Sequence, residues 1–595
     1  MKRRMFVMSG LAPIALAACG GDDDAPAPAP GPGPTGVQAT ALDAMERAAR
    51  HMDEVVSYRG GYVWQYLPDL SKSWGEMEAK RSMCWIQPPG TPTAGHAFLD
   101  AYHATGREVF YNAAARTAEA LIAAQHPAGG WNYIHDFAGE DSLVHWYDTI
   151  GSNGWRLEEF QHYYGNATFD DAGTAVSSQF LLRMYLEKKD PKFKAALDKA
   201  IDFVLNAQFS GDVADGGWPQ RFPVAPNAIS SMPLPNPGQL PAGAIAGMED
   251  GDYTTMVTFN DDVAGENIKF LLMCLVSLGE TRVVQPIHRA MDCLRRMQQP
   301  LPQAGWGLQH LATERNGRPA GSPAGARSYE PRSLATHTTQ TNVQQLFNYF
   351  RLTGDRKYLA RVPEALDWLE TCKLTPQQVA ENPLLGGNRT HPTFIELGTN
   401  VGRFVHRYGS NIHNGAYYHD NDHRATPSHY SGGRPINIAG MRTTYEQLNA
   451  MTDAQVAEMV AKSPLNATAP RALPKYFSIR EVDFADLYEG AVMKTPEVPE
   501  ADVQQLVEDL GTKNHWLTPL GQVTNPYRGD GPSTPYTGTE YMSKHVGDVY
   551  DTSPYDAQDP PVIAPYTKKD RPLGVSTSAW VSNMGKLIAF VSPVK

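Results

Sequence analysis

Gly129-Gly130-Trp131 and Gly216-Gly217-Trp218 mark the same place in two copies of one structural unit. Variants stand upstream at Gly60-Gly61-Tyr62 and downstream at Ala304-Gly305-Trp306. Trp131 to Trp218 is 87 residues and Trp218 to Trp306 is 88, a fixed period that signals a repeat architecture. Ahead of each aromatic lies the same pattern. His96 to Tyr102 is followed by Thr105-Gly106-Arg107-Glu108 and Tyr111 to Ala124; Thr174 to Tyr185 by Asp190 and Phe193 to Leu205. Ala264 to Leu278 is followed by Gly279-Glu280-Thr281 and Ile287 to Met297; Val343 to Tyr349 by Thr353-Gly354-Asp355 and Tyr358 to Leu369. Apolar residues recur at three- and four-residue steps, as in Phe193, Leu197, Ile201, Val204 and Leu205, which is helical period. The unit is therefore a helical hairpin, and a hairpin buries its apolar face only by stacking on others. The expected fold is all-α: an incomplete α/α toroid of helical-hairpin repeats with a long irregular C-terminal segment.

A polar motif precedes two of the inner helices. Thr168-Phe169-Asp170-Asp171 and Thr258-Phe259-Asn260-Asp261 are 90 residues apart. Thr, Asp and Asn are N-cap residues, so these stretches read as helix caps. In an α/α ring the inner-helix N-termini also point into one cleft, where carboxylates from two copies would converge.

The chain has 595 residues, 42% of them hydrophobic, enough for one large domain or two. Its net charge of −12 and lack of a Lys/Arg run argue against a nucleic-acid partner. Lys2-Arg3-Arg4, the apolar stretch Met5 to Ala18 and the box Leu16-Ala17-Ala18-Cys19 resemble a bacterial lipoprotein signal. The expected organisation is a signal peptide over 1–18, a lipidated Cys19 with a flexible Asp/Ala/Pro tether over 19–39, a lyase-like toroid over 40–410 and an irregular extension over 411–595. Thr577 to Val591 reads as its closing helix, and one further helical stretch lies near 452–462. Gly20 after the box points to the outer membrane, with the lipid as the only membrane contact and a monomeric chain. Cys84, Cys274, Cys293 and Cys372 lack metal-ligand spacing and read as core residues.

Three stretches together resemble the pectate lyases of polysaccharide lyase family ten. They are Gly216-Gly217-Trp218-Pro219-Gln220-Arg221-Phe222-Pro223, Thr258-Phe259-Asn260-Asp261-Asp262, and Ala326-Arg327-Ser328-Tyr329-Glu330-Pro331 with Ser333-Leu334. Weaker matches at Thr168 to Thr174 and Phe394 to Asn400 extend the resemblance over roughly 165–410. It implies an α/α toroid and calcium-assisted β-elimination on an anionic polysaccharide, a polyuronate of pectate type. In that chemistry a base removes the C5 proton, and a divalent cation or Arg neutralises the neighbouring carboxylate. Calcium takes clustered oxygen ligands, and the resemblance places Asp261 among them, with Asp262 beside it and Asp171 from the preceding repeat. It also implies an arginine base just before the Phe394 stretch, where this chain has Thr393. Arg389, His391 and Arg327 are the catalytic candidates; a different substrate or a non-catalytic glycan binder are the alternatives. Trp218, Gln220, Arg221, Tyr329, Arg403 and Arg407 are the candidate substrate contacts, with Trp218 first a packing residue.

His413, His419, Asp420, Asp422 and His423 fit no standard zinc spacing and read as a solvated loop. Gln125 to Trp131 also fits the Gln-x-x-x-Gly-x-Trp repeat of triterpene cyclases, another α/α-toroid class, but no Asp-x-Asp-Asp motif accompanies it.

Overall fold

The computed structural model describes residues 36–151, 160, 162–224, 240, 242–382, 385, 387–408, 416–424, 430–520 and 573–592. The expected signal peptide, Cys19 and most of the tether lie outside these residues. No helix among the described residues is long and apolar enough to cross a membrane.

The hairpins form where the periodicity places them. In chain order the helices are α1 (Val37–Arg50), α2 (Thr91–Thr105), α3 (Glu108–Ala124), α4 (Glu140–Asp148), α5 (Gly173–Lys188), α6 (Pro191–Asn206), α7 (Val263–Leu278) and α8 (Val284–Arg296). Then come α9 (Thr336–Thr353), α10 (Val362–Thr371), α11 (Pro376–Glu381), α12 (Ile438–Asn449), α13 (Asp453–Ala461), α14 (Glu500–Leu510) and α15 (Thr577–Val591). The pairs α2/α3, α5/α6, α7/α8 and α9/α10 are the four repeats. Gly106, Gly279 and Gly354 end their first helices in the left-handed conformation, which glycine adopts without steric cost. The inner helices pack side by side, α15 on α2, α2 on α5 and α5 on α7, with α9 against the turn that opens α7. This arc of inner and outer helices is the α/α toroid, and the four cysteines are buried thiols in its walls.

The Gly-Gly-Trp motif is the joint between repeats. The indole N–H groups of Trp131, Trp218 and Trp306 donate to the carbonyls of Leu121, Val204 and Leu294 at 2.8, 2.8 and 2.9 Å, tying each indole to its own outer helix. Their backbone carbonyls accept from Thr168, Thr258 and Ala335 at 2.8 Å, in the short strands that lead into the next inner helix. The glycines let the next outer helix approach: a Cβ on Gly129 would lie 2.1 Å from the Lys199 carbonyl oxygen, and one on Gly216 2.3 Å from the Arg289 carbonyl carbon. The 87–88-residue period is thus one hairpin, one short strand and the long connections between them. Trp218→Ala should cost about 3–5 kcal/mol, the usual loss for a large aromatic in a packed core, read as a lower melting temperature; an unchanged transition would contradict this joint.

The C-terminal region differs from expectation. Over 430–520 it carries three helices, α12, α13 and α14, where a single stretch near 452–462 was expected. The apolar faces of α12 and α14 are short, with Ile438, Met441 and Leu448 buried in one and Val503, Leu506 and Leu510 in the other. They are half-exposed helices, whose weak periodicity the Pro- and Gly-rich flanks mask. Between them, residues 470–488 lie against the inner helices. Asp100 Oδ2 accepts from the backbone of Phe477 (2.8 Å) and Ser478 (2.6 Å), and Oδ1 pairs with Arg183 at 2.6 Å. Asp100 and Arg183 are 0% and 4% exposed. The Phe477 ring stacks on His96 at 5.1 Å and lies under the Arg183 guanidinium at 4.1 Å. The extension therefore packs against the inner helices α2 and α5.

Candidate active site

Two repeat-equivalent turns build the floor of the site. Strands Ala167–Thr168 and Met256–Thr258 each run into a single 3-10 turn, Asp170–Ala172 or Asn260–Asp262, before α5 or α7 begins. Both turns hold two successive residues in the left-handed region: Asp171 and Ala172 at φ 51° and 56°, Asp261 and Asp262 at φ 51° and 53°. Non-glycine residues there store of order 1–3 kcal/mol each, and such strain collects at sites where a side chain must be aimed. The turns pack together and bring carboxylate oxygens of Asp170, Asp171 and Asp261 within 4.8 Å of one another. They stand at helix N-termini, where the helix dipole favours negative charge.

The partners fix each carboxylate differently. Asp170 is 1% exposed; it takes the Arg327 guanidinium at 2.9 Å and the Tyr133 hydroxyl. Burial alone would raise its carboxyl, but Arg327 and these hydrogen bonds prevail and hold it below the usual range. Asp171 accepts from Gln87 Nε2 at 2.7 Å, and Asp261 from Asn260 Nδ2 at 2.7 Å. Asp261 keeps solvent-exposed surface. Desolvation of its carboxyl, with the negative charges of Asp171 and Asp170, pushes it well above the ordinary range. Glu330, 1% exposed, binds Arg327 Nη2 at 2.7 Å. Asp170 and Glu330 thus hold the Arg327 guanidinium, with Asp171 and Asp261 close by, a concentration of carboxylates that a cation would relieve.

The trio differs from the expected Asp171, Asp261 and Asp262. Asp262 turns away: its Oδ2 accepts from Gln345 of α9 at 2.6 Å, and burial followed by Glu266 pushes its carboxyl up to about 8. Repeat equivalence explains the exchange. Position 261 matches 171 and position 260 matches 170, whereas 262 matches Ala172, on the far side of the turn.

Of the three catalytic candidates, Arg327 is seated on the carboxylates. His391 is buried with Nε2 3.0 Å from the Leu369 carbonyl and Nδ1 2.7 Å from Thr390 Oγ1, an arrangement that ties a strand to the end of α10. Arg389 lies on the loop leading into strand His391–Pro392. Thr393 is 1% exposed, with its hydroxyl on the Ser431 carbonyl. Among the expected substrate contacts, Trp218 is sealed in the repeat joint. Gln220 is 0% exposed, its backbone carbonyl accepting from Phe169 at 2.8 Å. Arg221 is buried among Tyr133 and Tyr164, 4.2 Å over the latter. Tyr329 packs edge-on to Tyr417 and Tyr430. Arg403 pairs with Glu396, and Arg407 lies in strand Gly402–Tyr408. His419 Nε2 lies 2.8 Å from Glu249 Oε1 and His406 Nε2 3.0 Å from Asp420 Oδ1, so part of the expected solvated loop is hydrogen-bonded; His413 lies outside the described residues.

Sequence reasoning missed Gln87, Tyr133, Glu330 and Tyr430. Tyr430 Oη lies 2.9 Å from Arg327 Nη2, 3.0 Å from Glu330 Oε1 and 3.4 Å from Asn260 Nδ2. Tyr133 was within reach of the repeat: it follows Trp131 by two residues, as Gln220 follows Trp218.

No curated protein matches the sequence. Among solved structures the chain is similar to a family 10 polysaccharide lyase from Cellvibrio cellulosa, at 16% identity over 62% of this chain and 95% of that one, with a TM-score of 0.33. A mutant of the Cellvibrio lyase in complex with trigalacturonic acid is similar at 18% identity over 52% and 85%, TM-score 0.32. The alpha-1,6-mannanase GH76A of Salegentibacter is similar at 10% identity over 56% and 70%, TM-score 0.30. The family model described as pectic acid lyase matches residues 149–414, the stretch that supplies Asp170, Asp171, Asp261, Arg327 and Glu330.

Proposed function

We propose that the protein is a polysaccharide lyase that cleaves a polyuronate of pectate type by calcium-assisted β-elimination. The observation that carries this reading is the convergence of Asp170, Asp171 and Asp261 beside Arg327. The donor set fits calcium: the ion takes carboxylate oxygens at about 2.3–2.6 Å, so ligands on opposite sides stand about 5 Å apart, and the three groups lie within 4.8 Å. Asp170, Asp171 and Asp261 would hold the ion, which when bound supplies positive charge to a uronate carboxylate and so acidifies the C5 proton. Magnesium, with its smaller octahedral shell, suits a half-exposed carboxylate trio less.

Arg327 supports the same chemistry from the protein side. Its guanidinium bridges Asp170 at 2.9 Å and Glu330 at 2.7 Å, so its charged form is strongly favoured and its part is to neutralise charge developing on the substrate. Arg327→Lys keeps the charge but loses the fork that spans two carboxylates; kcat should fall about 10²–10³-fold. Activity near the wild-type level would remove Arg327 from the reaction.

The reaction class is tested by the mass of the products. Elimination leaves an unsaturated non-reducing end, one water lighter than a hydrolysis product. Recovery of saturated oligouronates alone would make the protein a hydrolase and refute the proposal. For the cell, we propose a lipid-anchored envelope protein; Cys19→Ser should move it out of the membrane fraction, and unchanged fractionation would contradict the anchor.

A further inference from the structure

A second cavity lies at the other end of the inner helices. Asp170, Asp171 and Asp261 stand where α5 and α7 begin. The last turns of α2 and α5, with Ser277 near the end of α7, line a cavity of about 620 Å³ whose other wall is residues 470–475 of the C-terminal extension. The 16 residues of α5, at about 1.5 Å each, hold the two ends about 24 Å apart. The volume lies in the range of small-molecule sites, about 300–1,000 Å³. Arg471 and Lys475 lie beyond residues 149–414, so this cavity is not built from the stretch that matches the pectic acid lyase model alone.

Its charge runs against that of the chain. The chain carries −12 overall, yet Lys189, Arg471 and Lys475 line the cavity and none has a carboxylate partner among the described residues. Lys189 Nζ lies over the Tyr185 ring at 4.9 Å, and Arg471 Nη2 donates to the Leu487 carbonyl at 2.7 Å. The remaining charged groups are matched: Arg183 binds Asp100 at 2.6 Å, and Glu187 Oε2 lies 2.7 Å from His103 Nε2. Basic residues at helix C-termini often answer the helix dipole. Three helix ends of about −0.5 charge each do not balance three cations, even with Glu187 added. The wall is also fixed in place. The Arg471 backbone N–H donates to the Val276 carbonyl at 2.7 Å, and the Lys475 carbonyl accepts from Arg183 and lies 2.9 Å from His103 Nδ1. Arg471 is thus anchored at the end of α7 and Lys475 between α2 and α5, while Lys189 caps α5. Tyr102, Leu186 and Leu473 add apolar surface among them.

We propose that this cavity binds a short oligouronate at a site separate from the cleft. The choice of a uronate rests on the polyuronate reading above. Cations anchored at three different helix ends suit carboxylates carried one to a sugar ring, whereas a lone phosphate calls for donors that converge on one point. The apolar lining suits the C–H faces of the rings. A bound oligomer bridges α5 to the extension, so it should slow amide exchange at Arg471 and Lys475.

The test is calorimetry of trigalacturonate with the whole chain held in a chelator, where the cation-free carboxylate trio repels the ligand and no calcium-assisted turnover occurs. Wild type should bind. Lys189→Glu/Lys475→Glu should weaken binding at least about tenfold with the melting temperature unchanged, since both lysines are exposed. Lys189→Arg/Lys475→Arg should keep the affinity within about threefold. No binding by wild type, equal affinity in the charge-reversed variant, or inorganic phosphate bound as tightly as trigalacturonate would overturn the proposal. Elimination of polygalacturonate with calcium is assayed beside it. A wild type that binds trigalacturonate through these lysines but eliminates nothing loses the lyase reading and keeps this site; an active wild type without such binding loses this site alone.

Discussion

Asp261→Ala should lower kcat/KM on a polyuronate by about 10³-fold or more, the several kcal/mol that a Lewis-acidic cation contributes to the transition state. The same variant should leave the cation-free protein as stable as wild type. Asp261 stands beside Asp170 and Asp171, and its carboxyl is pushed up because the folded protein disfavours its charge. Removing it relieves repulsion and breaks one hydrogen bond, that from Asn260. The two effects separate in a thermal-shift experiment. Calcium at about 100 times its Kd should stabilise wild type by about 2.7 kcal/mol and should leave Asp261→Ala unmoved. Equal calcium shifts in both proteins would place the ion elsewhere.

Asp100→Ala should cost about 3–5 kcal/mol, the loss expected when one partner of a buried ion pair is removed. Asp100 satisfies Arg183 and the backbone N–H groups of Phe477 and Ser478 at once, so its loss leaves a buried guanidinium and two orphaned donors. Residues 470–488 should then come loose from the inner helices, read as faster amide exchange at Phe477 and Ser478. Adding Arg183→Met to Asp100→Ala should recover part of the loss, because an uncompensated charge no longer remains. A double variant that is simply the sum of the two singles would show that the pair is not coupled.

The repeat was legible because it is a packing device. Gly129 and Gly216 sit where a Cβ would strike the next outer helix, and Trp131 and Trp218 sit where an indole joins an outer helix to the next strand. Such requirements recur at a fixed period, so the period reveals the toroid. The last helix was legible at Thr577–Val591 for the same reason: its buried face repeats at helical steps. Helix α1 and the strands of two to four residues left no comparable trace, since their order depends on neighbours distant in sequence.

The site was legible in part. Asp171 and Asp261 came from the repeat register, and Arg327 from its motif. Asp170 was quoted in the same motif, but that 170, 171 and 261 converge while 262 turns away goes with the left-handed pairs at 171–172 and 261–262, a backbone property that the residue types do not encode. Tyr430 lies 100 residues beyond Glu330 in a region without repeat or motif, and only tertiary contact joins them. His391 has the chemistry of a base, yet the Leu369 carbonyl occupies its Nε2; composition shows the imidazole but not what it touches.

The most direct measurement follows ultraviolet absorbance of unsaturated uronate ends while the wild-type protein acts on polygalacturonate with calcium, then with a chelator, then with calcium restored. The account predicts absorbance that rises, stops on chelation and resumes on adding calcium back. No rise on any polyuronate, or a rise indifferent to the chelator, would contradict it.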